Sequence, residues 1–361
     1  MSIVQATRAY ERWAEKRIEL NPHHLKLKHA AMAGAAFPFL RATFYRWVTL
    51  WREACPELAA APKLLAVGDL HVENFGTWRD AEGRLAWGIN DFDEAFPMPY
   101  TVDLVRLAAS ALLAIRERRL AISADEACDA VLAGYRAAIR RDQPRGFVLE
   151  EDHPVLRAMA MGAERDPERF WARMATLRRA EAPKSARKLL LRELSECGDT
   201  IRIVGRVAGL GSLGRPRFVG YGEIGGGLVA REVKAMLPSA YGWAMKIPDR
   251  RLYLQTIVKR AVRAQDPHYR PEKAWLLRRL GPHCSRIPLE HFPRKRDESH
   301  ILHAMGRETA NVHAGSPASL PAVQRDLARR GPRWLREAAR RMADATLADW
   351  REWRRHVDGR P

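Results

Sequence analysis

Gly68-Asp69-Leu70-His71-Val72-Glu73-Asn74-Phe75-Gly76 is the stretch on which the reading of this chain turns. It follows Leu64-Leu-Ala-Val67, a short apolar run with the length and composition of a buried strand. An aspartate five residues ahead of an asparagine, on the loop leaving a strand, has a definite chemical use. The aspartate can orient an attacking hydroxyl and accept its proton, while the asparagine amide oxygen can bind a magnesium ion that bridges phosphates. Either residue alone would more simply close a turn. The array is what argues for chemistry.

Downstream, Phe75 to Trp78 and Leu85 to Ile89 flank Asp80-Ala-Glu-Gly83, a spacing that predicts a hairpin. The hairpin returns the chain to Ile89-Asn-Asp91-Phe-Asp93. Magnesium favours hard oxygen ligands beside phosphates. Asp91 directly follows the apolar strand, where a side chain leaves a sheet, and is the expected partner of Asn74 on the metal; Asp93 is the second choice. Asp103 is expected to cap the following helix and brace the loop.

Far along the chain, Gly209-Leu-Gly211-Ser212-Leu-Gly214 lies between two β-like runs. By itself such a motif is a glycine-rich turn, and its setting between strands fits a dinucleotide fold poorly. Lys234 follows on the strand-like segment Leu228 to Lys234. The backbone N–H groups of Gly209, Gly211, Ser212 and Gly214 can cover phosphates, and a strand lysine can neutralise them.

Around these motifs the periodicity predicts helices over residues 1–60, where Phe39, Phe44, Trp47 and Trp51 form a core stripe. Helices are expected again over about 101–195. Residues 200–290 read as β-rich, with Ile201, Ile203 and Val207 in a strand, a helix from Arg250 to Ala264 and a strand from Trp275 to Leu280. The tail, 298–358, is helical with a break near Gly315-Ser-Pro317. Its Trp334, Leu335, Met342, Trp350 and Trp353 are expected to pack inward. His300 and His303 have no thiol or carboxylate set to complete a zinc site.

The 361 residues suit two lobes or domains, and the balance of apolar and charged residues is that of a globular protein. The formal net charge of +19 attracts polyanions without choosing among nucleic acid, acidic lipid and phosphorylated small molecules. Cys55, Cys128, Cys197 and Cys284 form no CxxC pair and read as buried reduced thiols. No secretory signal and no membrane-spanning run is expected, and the protein is read as cytoplasmic.

The loop and hairpin residues resemble the protein-kinase-like superfamily, in particular its aminoglycoside and choline kinase branch. That resemblance implies Asp69 as catalytic base, Asn74 and Asp91 as metal ligands, and Gly209, Gly211, Gly214 and Lys234 as the nucleotide loop and phosphate lysine. The chain as a whole is similar to the bacterial domain-of-unknown-function 2252 family. The shared landmarks are Met32 to Arg41, the GDLHVENFG loop, INDFDEA, GLGSLG, the VKA lysine segment and Glu308-Thr-Ala-Asn-Val-His313. This second likeness implies a fold more than a reaction.

Motif order departs from ordinary kinases, whose glycine loop and lysine precede the catalytic loop. The implied fold is therefore α+β: a kinase-like two-lobe fold, circularly permuted. A small β-rich nucleotide lobe at 196–292 is inserted between large-lobe segments at 1–60, 61–195 and 293–361, with Ala304 to His313 as the displaced helix before the catalytic loop. The helix near 250–264 holds no glutamate for Lys234, so Gln255 substitutes or the lysine is unpaired. The function expected is ATP- and Mg-dependent phosphotransfer to a small-molecule hydroxyl. Nucleotidyl transfer, a nucleotide-binding pseudokinase and a basic nucleic-acid-binding protein are the alternatives.

Overall fold

The Gly68–Gly76 loop lies between two short strands that, among the described residues, pair only with each other. β1 (Lys63–Ala66) and β4 (Phe96–Pro99) run antiparallel, with Ala66 opposite Phe96. Between them the hairpin of β2 (Phe75–Arg79) and β3 (Leu85–Ile89) folds back, with Phe75 opposite Ile89. The structure is a computed structural model that describes residues 1–141, 143–150, 153–162, 165–289 and 297–359.

Five helices precede β1: α1 (Ile3–Glu15), α2 (Pro22–Gly34), α3 (Ala36–Ala42), α4 (Phe44–Ala54) and α5 (Pro56–Ala59). Ser2 and Gln5 close a capping box at the start of α1, and Pro22 opens α2 behind the Asn21 cap. Phe39, Phe44, Trp47 and Trp51 are buried, as the helical stripe required. After β4 come α6 (Thr101–Arg116) and α7 (Ala124–Ile139), then β5 (Phe147–Val148), which adds a third strand beside β3. α6 is buried nearly all round, which is why its sequence is apolar on every side rather than in one stripe, with Asp103 and Arg106 the charges it buries.

α8 (Pro154–Ala160), α9 (Pro167–Ala175) and α10 (Lys184–Glu193) lead to an antiparallel sheet. Its strands are β6 (Arg202–Gly205), β7 (Arg217–Ile224), β8 (Gly227–Ala235), β9 (Arg270–Glu272) and β10 (Trp275–Leu280), in the spatial order β6-β7-β8-β10-β9. Between β8 and β9 lie α11 (Ala240–Ala244) and α12 (Leu254–Arg260). The last helices are α13 (Asp297–His313), α14 (Leu320–Arg329) and α15 (Trp334–Val357). The architecture is thus mixed helix and sheet, with several small sheets.

One large core joins helices from both ends of the chain, from Ala6 through Ala160 and from Met236 through Ala343. The five-stranded sheet has its own two apolar clusters, one on each face. α10 covers one face with Ala186, Leu189 and Leu190 against Val233, Ala235, Trp275 and Leu277. α9 covers the outer part of the other with Met174, Phe170 and Trp171 against Val204, Val219, Tyr221, Ala230 and Leu280. α9 and α10 therefore pack on the sheet.

Three local expectations are corrected. The helix expected at 250–264 is confined to α12, because Ala261 leaves helical geometry and is extended. The strand before the glycine loop ends at Gly205, and Val207 is exposed. Asp103 caps nothing: it sits inside the first turn of α6 behind Tyr100. Leu335, Met342 and Trp353 of α15 are buried, while Cys284 is the one cysteine not fully buried. The expected boundary at 292–293 lies outside the described residues. No helix is long and apolar enough to cross a membrane, among the described residues.

Candidate active site

The loop after β1 is held by its backbone. The Asp103 carboxylate accepts from Val67 N at 2.7 Å and Gly68 N at 2.8 Å, and His313 Nε2 meets the same carboxylate at 2.9 Å. Tyr135 Oη contacts the other ring nitrogen of His313 at 2.9 Å. So α6, α7 and α13 together fix the point where the chain leaves β1. Gly68 has φ +89°, and a Cβ there would lie 2.6 Å from the Glu94 carbonyl, so only glycine lets this turn pass.

That turn presents Asp69. One of its carboxylate oxygens, Oδ1, takes the guanidinium of Arg106, with Nε at 2.8 Å. Arg106 is itself fully buried on α6 and also donates to the Leu40 carbonyl. The other oxygen, Oδ2, faces the glycine loop: a Cβ on Gly211 would lie 3.5 Å from it. Burial raises the Asp69 carboxyl to about 7, and Arg106 opposes that rise. A carboxylate with one anchored and one free oxygen, titrating near neutrality, is suited to accept a proton.

Asn74 spends its amide nitrogen on the Asp69 carbonyl at 2.5 Å, which leaves the amide oxygen as the side chain's acceptor. Asp91 and Asp93 follow β3 and border the same cavity as Asp69 and Asn74. Lys234, on β8, is buried and places Nζ 2.6 Å from Asp93 Oδ2 and 3.7 Å from Asp91 Oδ1. This corrects the expected lysine partner. Gln255 is exposed on α12, and the partner is Asp93, two residues past Asp91. Burial works against charge on Asp93, but Lys234 and Arg215 hold its carboxyl down at about 2. Its Oδ1 is buried without a hydrogen bond.

The glycine loop lies against this group. Gly209, Gly211 and Ser212 border the cavity with Asp69, Asn74, Asp91 and Asp93. Gly214 does not; its carbonyl accepts from Asn21 N at 2.8 Å, so it anchors the loop to α2. A Cβ on Gly211 would also come within 3.0 Å of the Arg41 carbonyl. The buried Lys28 amine, lowered to about 8 by burial, reaches the Gly211 carbonyl at 3.5 Å.

Several residues at the site were not anticipated. Glu73 is clasped by Arg41 Nη1 at 2.5 Å, by Arg119 at 3.0 Å and by Arg286. Glu94 accepts from Ala240 N at 2.6 Å and pairs with Arg215. Glu232, two residues before Lys234, receives Arg206, Arg217 and Arg278, each at 2.6 Å. Arg106 had a signal: it is the one charge among Leu104, Val105, Leu107 and Ala108. The arginines around Glu73 and Glu232 had none, since they come from distant segments.

Magnesium fits the donor set. Among the described residues no three His, Cys, Asp or Glu side chains are arranged to hold a metal by themselves. A magnesium ion needs no such cage, because one or two carboxylates plus phosphate oxygens and water suffice. The Asn74 amide oxygen, Asp91 and the orphaned Asp93 Oδ1 supply hard oxygens at one cavity.

Residues 20–196 match the model of a family described as an uncharacterized protein conserved in bacteria, DUF2252. The matched segment carries Arg41, the Gly68–Gly76 loop and Asp91, and it stops short of the glycine loop and Lys234. No curated protein and no solved structure matches the chain.

Proposed function

We propose that the protein is an ATP- and Mg-dependent phosphotransferase with a kinase-like, circularly permuted arrangement of parts. The observation that carries this reading is the meeting of two motif groups over a hundred residues apart. Gly211 lies beside Asp69, and Lys234 lies between Asp91 and Asp93. The topology of the five-stranded sheet supports it too. The glycine loop joins the first two strands and the lysine stands on the third, as in the kinase template, where a glycine-rich loop covers the phosphates and the lysine is on the third strand.

In this reading the acceptor hydroxyl hydrogen-bonds Asp69 Oδ2. Its proton passes to that oxygen as the hydroxyl oxygen bonds to the terminal phosphorus, and the bond from that phosphorus to the bridging oxygen breaks to release ADP. Arg106 holds Asp69 Oδ1 throughout, so the carboxylate cannot rotate away. Asn74 and Asp91, with Asp93 as second choice, would hold the metal, which would offset phosphate charge. Lys234 reaches the phosphates by loosening its contact with Asp93. The cavity of about 160 Å³ is smaller than the ~300–1,000 Å³ of ordinary small-molecule sites, so a bound triphosphate would need a wider cleft than this one.

The test is to incubate the protein with Mg, γ-labelled ATP and metabolite extracts and follow label by mass spectrometry. A labelled acceptor supports transfer of the terminal phosphoryl group. Release of pyrophosphate with an adenylylated product indicates nucleotidyl transfer. MgATP binding with no product leaves the pseudokinase reading, which the Lys234–Asp93 pair favours.

A further inference from the structure

Resting on the phosphotransfer reading, we infer that the cleft recognises its donor by phosphate and not by base: its ligand is a polyphosphate chain, with or without a nucleoside attached. The argument starts from the sheet face that meets the glycine loop. Pairing in register puts Arg217, Val219 and Tyr221 of β7 on that face with Lys234, Glu232 and Ala230 of β8. Leu276, Arg278 and Leu280 of β10 complete it. Side chains directly opposite in antiparallel strands share a face.

That face is divided. Its outer, apolar part is already covered by Phe170, Trp171 and Met174 of α9. Its inner part, next to Gly209 and Ser212, carries charge. Arg206, Arg217 and Arg278 converge on Glu232, which is wholly buried. Arg217 also donates to the Ser212 hydroxyl at 2.7 Å, so the arginine cluster and the glycine loop are one unit. Three guanidinium groups on one carboxylate leave a local excess of two positive charges. The further carboxylates that act on Arg278 and Arg217, Asp91 and Asp93, are those assigned above to the metal and Lys234. Arg206, Arg217 and Arg278 all border the cavity, and so do Arg41 and Arg286 on the opposite, catalytic-loop side.

A site that selects a base needs an apolar slot with a few placed polar groups. Among the described residues, the sheet side chains that border the cavity are Arg217, Arg278 and Leu280, and Leu280 is already packed in the apolar cluster covered by α9. The aromatic rings that do reach the cavity are engaged elsewhere: Tyr10 stacks on Tyr45 at 4.4 Å, and Phe44 stacks on Trp47. Guanidinium forks instead match phosphate oxygens, and where a guanidinium meets a base it stacks on any of them.

The test is calorimetry on the full chain in Mg with ATP, CTP, inorganic tripolyphosphate and adenosine, repeated with Arg206→Gln. Arg206 is part-exposed, and a circular dichroism melt of the variant checks that it folds. ATP, CTP and tripolyphosphate are expected to bind within a few-fold of one another, and adenosine not at all. Arg206→Gln is expected to weaken all three by about tenfold, the loss of one charge-assisted hydrogen bond. Tripolyphosphate binding more tightly than ATP would identify free polyphosphate as the donor; ATP and CTP equally ahead of it would identify a nucleotide. A roughly tenfold or greater preference for ATP over CTP, or competition by adenosine, overturns the inference and leaves phosphotransfer standing. An Arg206→Gln protein that folds and binds all three as before also overturns it. No binding of any phosphate probe at millimolar concentration removes the phosphotransfer reading itself.

Discussion

Asp69 and Glu232 are both largely buried carboxylates met by arginine, and they are built for opposite ends. Asp69 has one arginine, on one oxygen, and its other oxygen is turned to the glycine loop. Burial outweighs that single partner, so the carboxyl rises to about 7. Glu232 has three arginines over both oxygens, and they hold its carboxyl well below the usual range. The number of cations decides the outcome, because burial pushes both groups the same way. One is a group that can take and release a proton near neutral pH. The other is a fixed charge that positions guanidinium groups.

The sharpest way to break this contrast is Asp69→Asn. It keeps the shape and loses the proton acceptor, so turnover should fall by about 10²–10⁴-fold while MgATP binding stays within a few-fold. Single-turnover transfer and calorimetry on the same preparation measure the two. Full turnover in the variant would end the assignment of Asp69 as base. Glu232→Ala should act in the other currency. It strands the buried Arg217 guanidinium together with the part-exposed Arg206 and Arg278, and should cost about 3–5 kcal/mol of folding stability, read by urea denaturation. A variant as stable as the parent would mean that the arginines find other partners and that Glu232 does not organise them.

Asp91→Ala refines the comparison at the metal. Asp93 stays locked to Lys234 and Arg215, so the sheet remains docked to the hairpin. The Mg-dependent part of triphosphate affinity should fall by about ten- to a hundredfold, the Mg-independent part much less. Titrations with and without EDTA separate them. Equal losses in both would place Asp91 on the ligand or the fold, not on the metal.

What the sequence made legible follows the range of the interactions. Asp69, Asn74 and Asp91 belong to one strand–loop–hairpin, so their meeting is local and turn chemistry suffices to read it. Four of the five strands at 202–280 were likewise marked by apolar runs and by the turn at Gly225 and Gly226, both of which adopt positive φ, while β9, Arg-Pro-Glu, carries no such mark. The lysine's partner was sought on a helix after the strand, yet Asp93 comes from 141 residues upstream, across two motif groups. Nothing local marks such a pair. The arginine cluster was hidden for another reason. Glu232 and Lys234 stand two apart on one strand, and charge at every second position reads as a solvent face. Here that face looks into a cavity. Asp103 was read correctly as a brace for the loop and wrongly as a cap, since its carboxylate reaches sideways to Val67 and Gly68.

The mildest test of the contrast is pH. If Asp69 accepts the proton, only its ionised form is active. Below about pH 7 transfer should therefore fall tenfold per unit, and above it the rate should level off, with half the plateau reached near the raised value. Glu232 and Asp93 contribute no limb in this window, because arginine and lysine keep both ionised. Stability should move the opposite way. In the unfolded chain Asp69 ionises near 3.8, so between that value and 7 the folded protein holds a proton that the unfolded chain has lost. This contribution is full below about 4 and disappears as pH rises through 7, so the protein gains activity over the range where Asp69 ceases to stabilise it. Asp69→Asn cannot ionise and should remove this group's share of the pH dependence of stability. Measuring the urea midpoint of both proteins between pH 5 and 8 isolates that share. Parallel curves for parent and variant would mean that Asp69 is already ionised at pH 5, and the rate limb would then belong to another group.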